Sequence, residues 1–565
     1  MRNERDTRTP GAAGVRHGPR RRVTVAVAAA VALTAIHPWA VPAPARASAP
    51  PAAHIATHTA PRSVTRPAPV AVSDEIRWTT RTVAPGVQVR TGVIEHPGAE
   101  PAWTVTVQAP AVDRLTGAAT FAPLGARAWA DETARRLREA GLTPRVEEVG
   151  WPEYADTPRG TMGWRVRVGS YATSAEAQRT TPKVTAAGLQ PSVEWTGYDI
   201  QQPADRESVR VAVIDPATFT GAVEATHHGD VADREKTSSV ATSLNSLVGV
   251  NGGFFVTSDA DGVQGTMAGI GAYDGELQSM AAGPRAALIL EDGGRRARIA
   301  DLTTTATARA GSADYAVEGI NRVPGRVRNC GRPGATPTDL PRQDLTCSKA
   351  DDLVKFTPSF RAGLPTGPGV QVVLDAGHRV VSTGARGGKV PAGGSVLQGI
   401  GSAADWLRAH GRAGERIAVQ GVVRDTAGRQ VELGPGDSVV SAAPTLVAGG
   451  RIAVDAATEG MLDPQDLSFG YAWSNGRQPR TMAGIDKEGR LLLVTVDGRQ
   501  PGTSEGFTLA EGAEFMRSLG AEDALNLDGG GSSTMAVDGR VVNVPSDAAG
   551  ERPVGDTVQV LPARH

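Results

Sequence analysis

Leu525-Asn526-Leu527-Asp528-Gly529-Gly530-Gly531-Ser532-Ser533-Thr534-Met535 is the stretch on which the reading of this chain turns. An apolar strand runs into an aspartate and then into three consecutive glycines. Three glycines cost more backbone entropy than a simple turn requires, so they imply a backbone cleared for something that must approach closely. A shorter version of the pattern precedes it at Leu493-Val494-Thr495-Val496-Asp497-Gly498-Arg499. Between the two, Thr508-Leu509-Ala510-Glu511 has the form of a capping box and predicts a helix that stops at Gly520. Strand, helix and strand would bring Asp497 and Asp528 to the ends of two strands. If those strands are parallel neighbours, both carboxylates share one rim, where open sheets commonly place ligands. Bare backbone amides after each aspartate form nests suited to an anion. Arg499 adds a planar fork that matches phosphate.

Two more glycine-centred clusters extend the pattern, Val248-Gly249-Val250-Asn251-Gly252-Gly253-Phe254-Phe255 and Arg480-Thr481-Met482-Ala483-Gly484-Ile485-Asp486. Any one of them alone reads as an ordinary turn, since Asp-Gly and Asn-Gly after a strand most often close a hairpin. Four in one domain shift the balance toward a site. Upstream, Val209–Ile214 is a continuous apolar strand.

With 565 residues, two or three domains are expected. Hydrophobic content of 40% with 21% charged residues supports a buried core and excludes wholesale disorder. A net charge of -1 gives no bulk case for nucleic acid or an anionic membrane as partner. Residues 1–47 have a basic start ending in Arg20-Arg21-Arg22, an apolar run from Val23 to Ile36, and Ala45-Arg46-Ala47. That is a secretory signal peptide, too short in its apolar run to span a bilayer comfortably. Its removal leaves a mildly acidic chain with no other candidate membrane span, destined for export. Residues 48–96 read as a Pro/Ala-rich linker and lead-in.

Residues 97–197 form a first unit with the order β-α-β-β-α-β. Trp103–Gln108 alternates as a strand, a helix carries Trp129, Thr133 and Leu137, and Arg145–Val149 and Trp164–Val168 are strands. Thr173-Ser174-Ala175-Glu176 opens a second helix, which Pro182 should interrupt. Val193–Trp195 closes the unit. Trp164-Arg165-Val166-Arg167-Val168-Gly169-Ser170-Tyr171, Ser174-Ala175-Glu176-Ala177 and Ala187-Gly188-Leu189 resemble the sporulation-related repeat (SPOR) domain. The resemblance implies binding to peptidoglycan glycan strands.

The four glycine clusters, with Gly319-Ile320-Asn321 and Asn543-Val544-Pro545-Ser546-Asp547 followed by Glu551-Arg552-Pro553, resemble the phosphodiester glycosidase family over residues 205–563. That resemblance implies hydrolysis of a sugar–phosphate diester at the anomeric carbon. The fold expected is α+β and multi-domain, a small ferredoxin-like domain followed by a large mixed-sheet α/β domain. Asp528, Asp497 and Asn251 are the expected catalytic residues. Arg480, Thr481, Arg499, Gly529, Gly530, Gly531, Ser532 and Asn321 are expected to hold the sugar phosphate. No cofactor is expected, with a hard divalent cation such as calcium or magnesium as the alternative, cutting P–O instead. A non-catalytic wall-binding protein is the third reading. Cys330 and Cys347, in an exported chain, are expected to pair. Gly399-Ile400-Gly401 fits a dinucleotide fingerprint only weakly, and His227-His228 has no companion ligands at metal spacing.

Overall fold

The structure, a computed structural model, describes residues 76–114, 117–199, 205–330 and 341–563, all within one compact unit. The expected signal peptide, residues 1–47, and residues 48–75 lie outside these. The lead-in does not behave as a linker once described. Thr79–Ala84 and Val87–Glu95 form a hairpin through Pro85-Gly86, and its second strand pairs along its length with Arg206–Ile214. The chain therefore begins by adding two strands to the sheet that carries the site.

That sheet has eight strands, all antiparallel. From the hairpin it runs through Arg206–Ile214, Leu491–Val496, Arg480–Asp486 and Ala521–Asn526 to Thr445–Ala448 and Arg451–Ile452. The strands ending before Asp497 and Asp528 are thus not neighbours. Arg480–Asp486 lies between them and runs opposite to both, so its first residue shares their rim. The helix Leu509–Ser518 crosses over, with both halves of the Thr508/Glu511 capping box formed. It buries Leu509, Ala513, Phe515 and Met516 against the sheet, each worth roughly 1–3 kcal/mol. Gly512 lets it come close, since a Cβ there would stand 2.9 Å from Met482 Sδ.

A five-stranded antiparallel sheet packs beside it and contains Val248–Asn251 between Met535–Val537 and Thr557–Leu561. A second eight-stranded sheet and a further five-stranded sheet complete the large domain. The expected mixed sheet is almost wholly antiparallel: Gly319–Ile320 against Asp352–Phe356 is the parallel pairing in these sheets. The architecture is mostly sheet with few helices. The strand Ser395–Ile400, which leads through the glycine fingerprint into the helix Ser402–His410, is antiparallel to both of its neighbours, which removes the dinucleotide context.

The small domain has the strand order Gln190–Trp195, Trp103–Val112, Thr161–Tyr171, Pro144–Gly150, every neighbour antiparallel. A short extra strand, Ala119–Ala122, pairs with the end of Trp103–Val112. Val105, Val107, Val166 and Val168 face the helix side, where Ala130, Leu137, Ala177 and Val184 complete the core. The second helix is split into Ser174–Gln178 and Thr181–Ala186, with Pro182 in the first turn of the latter. Cys330 and Cys347 are disulfide-bonded, Cα atoms 5.7 Å apart. Among the described residues no helix is long and apolar enough to cross a membrane.

Candidate active site

Three of the glycine clusters converge on Asn251, which is fully buried. Its Nδ2 donates to the Asp528 carbonyl (2.7 Å), and its Oδ1 accepts from Thr481 Oγ1 (2.6 Å) and the Thr534 amide (3.1 Å). The Asp528 amide donates to Gly252 O (3.0 Å), and Leu527 N to Thr481 O (2.8 Å). Asn251 and Thr481 therefore hold the end of the Ala521–Asn526 strand, and with it Asp528. A further carboxylate supports the Asn-Gly-Gly turn. Asp556 accepts from Gly253 N (2.8 Å) and from Tyr273 Oη (2.8 Å), and a Cβ on Gly252 would collide with it. Burial pushes the Asp556 carboxyl up to about 6.

Asp528 is only partly buried by area, yet desolvation pushes its carboxyl up to about 7. Its carboxylate accepts from its own neighbour, Gly529 N to Oδ1 (2.9 Å). The Ser532 hydroxyl lies close to the carboxyl but has no partner in hydrogen-bond geometry, and Arg552 pulls against the upward shift. Ser533 Oγ and Thr534 Oγ1 are likewise buried without partners. An unbonded buried hydroxyl costs about 1–3 kcal/mol, and three follow one another directly after the glycine run.

The glycines serve the arginines. Gly530 has φ +61°, and a Cβ there would stand 3.1 Å from Arg499 Nη2. A Cβ on Gly531 would collide with the Arg552–Asp547 pair, in which Arg552 Nε donates to Asp547 Oδ2 (2.8 Å) and Nη2 to Oδ1 (3.0 Å). Arg499 reaches solvent, donates from Nε to Gln478 Oε1 (2.7 Å), and has its pKa lowered by desolvation and by nearby Arg552. Two of the three amides expected to hold phosphate are spent inside the protein, Gly529 N on Asp528 and Gly530 N on Pro479 O (2.9 Å).

Other expected site residues lie differently. Asp497 sits on the same rim, but its carboxylate is consumed. Arg210 pairs with Oδ2, while Asn543 Nδ2 (3.2 Å) and Val544 N (2.9 Å) donate to Oδ1. Arg480 is buried, stacked 4.5 Å from the Trp473 ring centroid, with Nε on Phe507 O (2.9 Å) and Nη2 on Trp473 O. Its Nη1 has no partner, and burial lowers its pKa to about 9, with Arg499 adding to the fall. Asn321 lies in a separate knot, its amide bonded to Gln278 and Thr357 and its own N–H to Lys355 O. Among the described residues no group of three or more His, Cys, Asp or Glu side chains could hold a metal.

Arg552 and Asp547 are the residues that motif reading passed over, although both stand in quoted segments. Their spacing before an apolar strand was the available signal. Arg210 was passed over as well: it is a charge inside an otherwise apolar strand, which calls for a buried partner without saying which.

The family model for phosphodiester glycosidases matches residues 368–561, and that for the SPOR domain residues 119–193. The crystal structure of a “Putative exported protein” from Burkholderia pseudomallei is 33% identical with a TM-score of 0.74, covering 86% of this chain and 96% of that one. Mouse N-acetylglucosamine-1-phosphodiester alpha-N-acetylglucosaminidase is 42% identical over 73 residues, 13% of this chain and 14% of the relative. An uncharacterized SPbeta prophage-derived protein of Bacillus subtilis is 41% identical over 90 residues, 16% of this chain and 14% of the relative. The chain thus spans about one seventh of the curated relatives it matches.

Proposed function

The chain belongs to the phosphodiester glycosidase family and carries a SPOR domain, and from that premise we propose that it is an exported hydrolase of glycosyl phosphodiesters at the bacterial cell wall. The bond broken is C1–O of a sugar-1-phosphodiester, releasing a free sugar and a phosphomonoester. The observation that carries this reading is the placement of Asp528 directly before Gly530 and Gly531, against which Arg499 and the Arg552–Asp547 pair lie, with desolvation pushing its carboxyl up to about 7.

In this reading Arg499 and Arg552 bind the phosphate, each as a planar fork able to take two oxygens. Ser532, Ser533 and Thr534 offer hydroxyls to the sugar phosphate. Asp528 in its neutral form hands its proton to the bridging oxygen as C1–O breaks, and an oxocarbenium-like transition state develops. Asn251, Thr481 and Asp556 position the strand end and the facing turn. Asp497, with every oxygen engaged, is a structural anchor. The SPOR domain supplies affinity for peptidoglycan glycan strands, and its strand order supports the ferredoxin-like reading.

The test is hydrolysis of an N-acetylglucosamine-1-phosphodiester in 18O-water, with and without chelator. C1–O cleavage puts the label in the sugar. Label in the phosphate, with activity lost in chelator, would replace this reading by metal-assisted P–O cleavage.

A further inference from the structure

Arg499 is aimed by two loops, and the small domain holds both of them. Arg499 has φ +60°, a left-handed backbone that a residue other than glycine keeps only where its surroundings impose it. Its Nε donates to Gln478 Oε1 (2.7 Å), and its own N–H donates to Glu505 O (3.4 Å). The loop that ends at Gln478 and the loop that carries Glu505 therefore set where the guanidinium stands.

The first loop is tied to the small domain at successive points. Tyr154, in the loop after Pro144–Gly150, donates from Oη to Ser474 O (2.9 Å). Arg477 N donates to Tyr198 O (2.9 Å), and its Nη1 to Gly197 O (2.9 Å) and Asp199 O (2.8 Å). Arg477 is buried, and its Nε also donates to Glu511 Oε1 (3.0 Å), the carboxylate of the Thr508 capping box. The exit of the small domain, the loop and the start of the crossover helix thus share one guanidinium. From there Gln478 pairs its backbone with Phe507, N to O in both directions (3.1 and 2.9 Å). The next residue, Pro479, accepts at its carbonyl from Gly530 N (2.9 Å).

The second loop is held by the same exit. Glu505 is fully buried and accepts from Trp195 Nε1 (3.2 Å), Asp205 N (2.9 Å) and Arg206 N (3.0 Å). Trp195 ends the last strand of the small domain. Gly197 is required for this approach, since a Cβ there would stand 2.4 Å from Trp195 Nε1 and 2.9 Å from Glu505 Oε1. Thr196 fastens the turn back to its own sheet, donating from N to Ala102 O (3.0 Å) and accepting at Oγ1 from Ala102 N (2.9 Å). A buried guanidinium and a buried carboxylate both take partners from one five-residue turn, and stripping those partners away is costly, so the junction is rigid. We propose that the small domain is a built-in part of the phosphate-binding arm: its exit turn, Trp195 to Asp199, holds the two loops that aim Arg499, with Gln478 and Trp195 as positioning residues for that guanidinium. Resting on the reading of Arg499 as a phosphate ligand, this makes an intact junction a condition of affinity for the diester, whatever else the small domain binds.

The experiment is steady-state kinetics of the whole protein on a soluble N-acetylglucosamine-1-phosphodiester, with thermal unfolding recorded for every variant. Gln478→Met keeps the side-chain volume and removes the acceptor for Arg499. Trp195→Phe keeps an aromatic ring and removes the donor to Glu505, and Gln478→Met keeps the test intact if Trp195→Phe folds poorly. KM is expected to rise about fivefold in Gln478→Met and about threefold in Trp195→Phe, with kcat per folded molecule within about twofold of the parent, since each change frees one flexible side chain. In an Arg499→Gln background, where the guanidinium is gone, neither change should move KM further. Parent KM in both single variants, or the same rise in the Arg499→Gln background, would overturn the role of the junction. So would losses confined to kcat and thermal stability, which mark a merely structural contact. If Arg499→Gln itself raises KM while the other two do not, the phosphate reading stands and the junction alone falls. Parent KM in Arg499→Gln would overturn the phosphate reading and the junction's role with it.

Discussion

Asp497 and Asp528 arise from nearly the same words of sequence, an apolar strand running into Asp-Gly, and they come to opposite ends. The strand Leu491–Val496 lies beside Arg206–Ile214, where Thr495 faces Arg210 across the register. Arg210 therefore stands where it can take the Asp497 carboxylate, and the Asn543 side-chain amide and the Val544 N–H close the rest. Asp528 stands one place further beyond its strand end, with Arg480–Asp486 beside that strand and Asn251 holding its carbonyl. Among the described residues no cation pairs with its carboxyl, so desolvation outweighs the pull of Arg552 and the pKa rises to about 7. Two carboxylates on one rim are divided by what the adjacent strand presents: one becomes a brace, the other is left without an ion-pair partner among the described residues.

The sharpest way to break this division is to exchange roles by mutation. Asp528→Asn should lower kcat at least 10³-fold, about 4 kcal/mol of transition-state stabilisation, while leaving the fold intact. Steady-state kinetics on a glycosyl-1-phosphodiester measures it. Asp497→Asn should act on the fold instead. Leaving Arg210 buried against a neutral partner costs roughly 3–4 kcal/mol, seen as a fall in Tm of about 3–4 °C in a body this large, with activity per folded molecule within a few-fold of the parent. Arg552→Gln should raise KM for the diester about 30-fold, since it removes a charged fork from the phosphate and leaves Asp547 unpaired.

A smaller effect sharpens the same comparison through pH. The Asp528 carboxyl holds its proton more tightly folded, at about 7, than unfolded, near 4. Folding thus takes up a proton between these values, and stability falls as pH rises through that window. Asp528→Asn removes the penalty. The variant should match the parent near pH 4 and exceed it by ~2 kcal/mol at pH 8, as denaturant melts at both pH values would show.

Much of this was legible in the sequence. The strand ends before Asp497 and Asp528, the Thr508/Glu511 cap and the break at Pro182 all follow from local chemistry, which a single segment carries. What escaped depends on partners far along the chain. Arg210 meets Asp497 across 287 positions, and nothing near Asp497 announces it. The insertion of Arg480–Asp486 between the two strands is a matter of topology, invisible to a strand–helix–strand pattern. The hairpin at Thr79–Glu95 was masked by its Pro-rich approach, although Pro85-Gly86 between alternating residues is turn chemistry. The glycines were rightly read as cleared backbone. The groups that first fill that clearing are the Arg499 and Arg552 side chains, contributed by segments on either side of the glycine run.

The most direct measurement of the central claim is the pH dependence of kcat/KM for the parent, Asp497→Asn and Asp528→Asn on one soluble glycosyl-1-phosphodiester. The account predicts a limb falling above pH ~7 in the parent and in Asp497→Asn, and its absence from the residual rate of Asp528→Asn. The same limb persisting in Asp528→Asn, or lost in a folded Asp497→Asn, would contradict it.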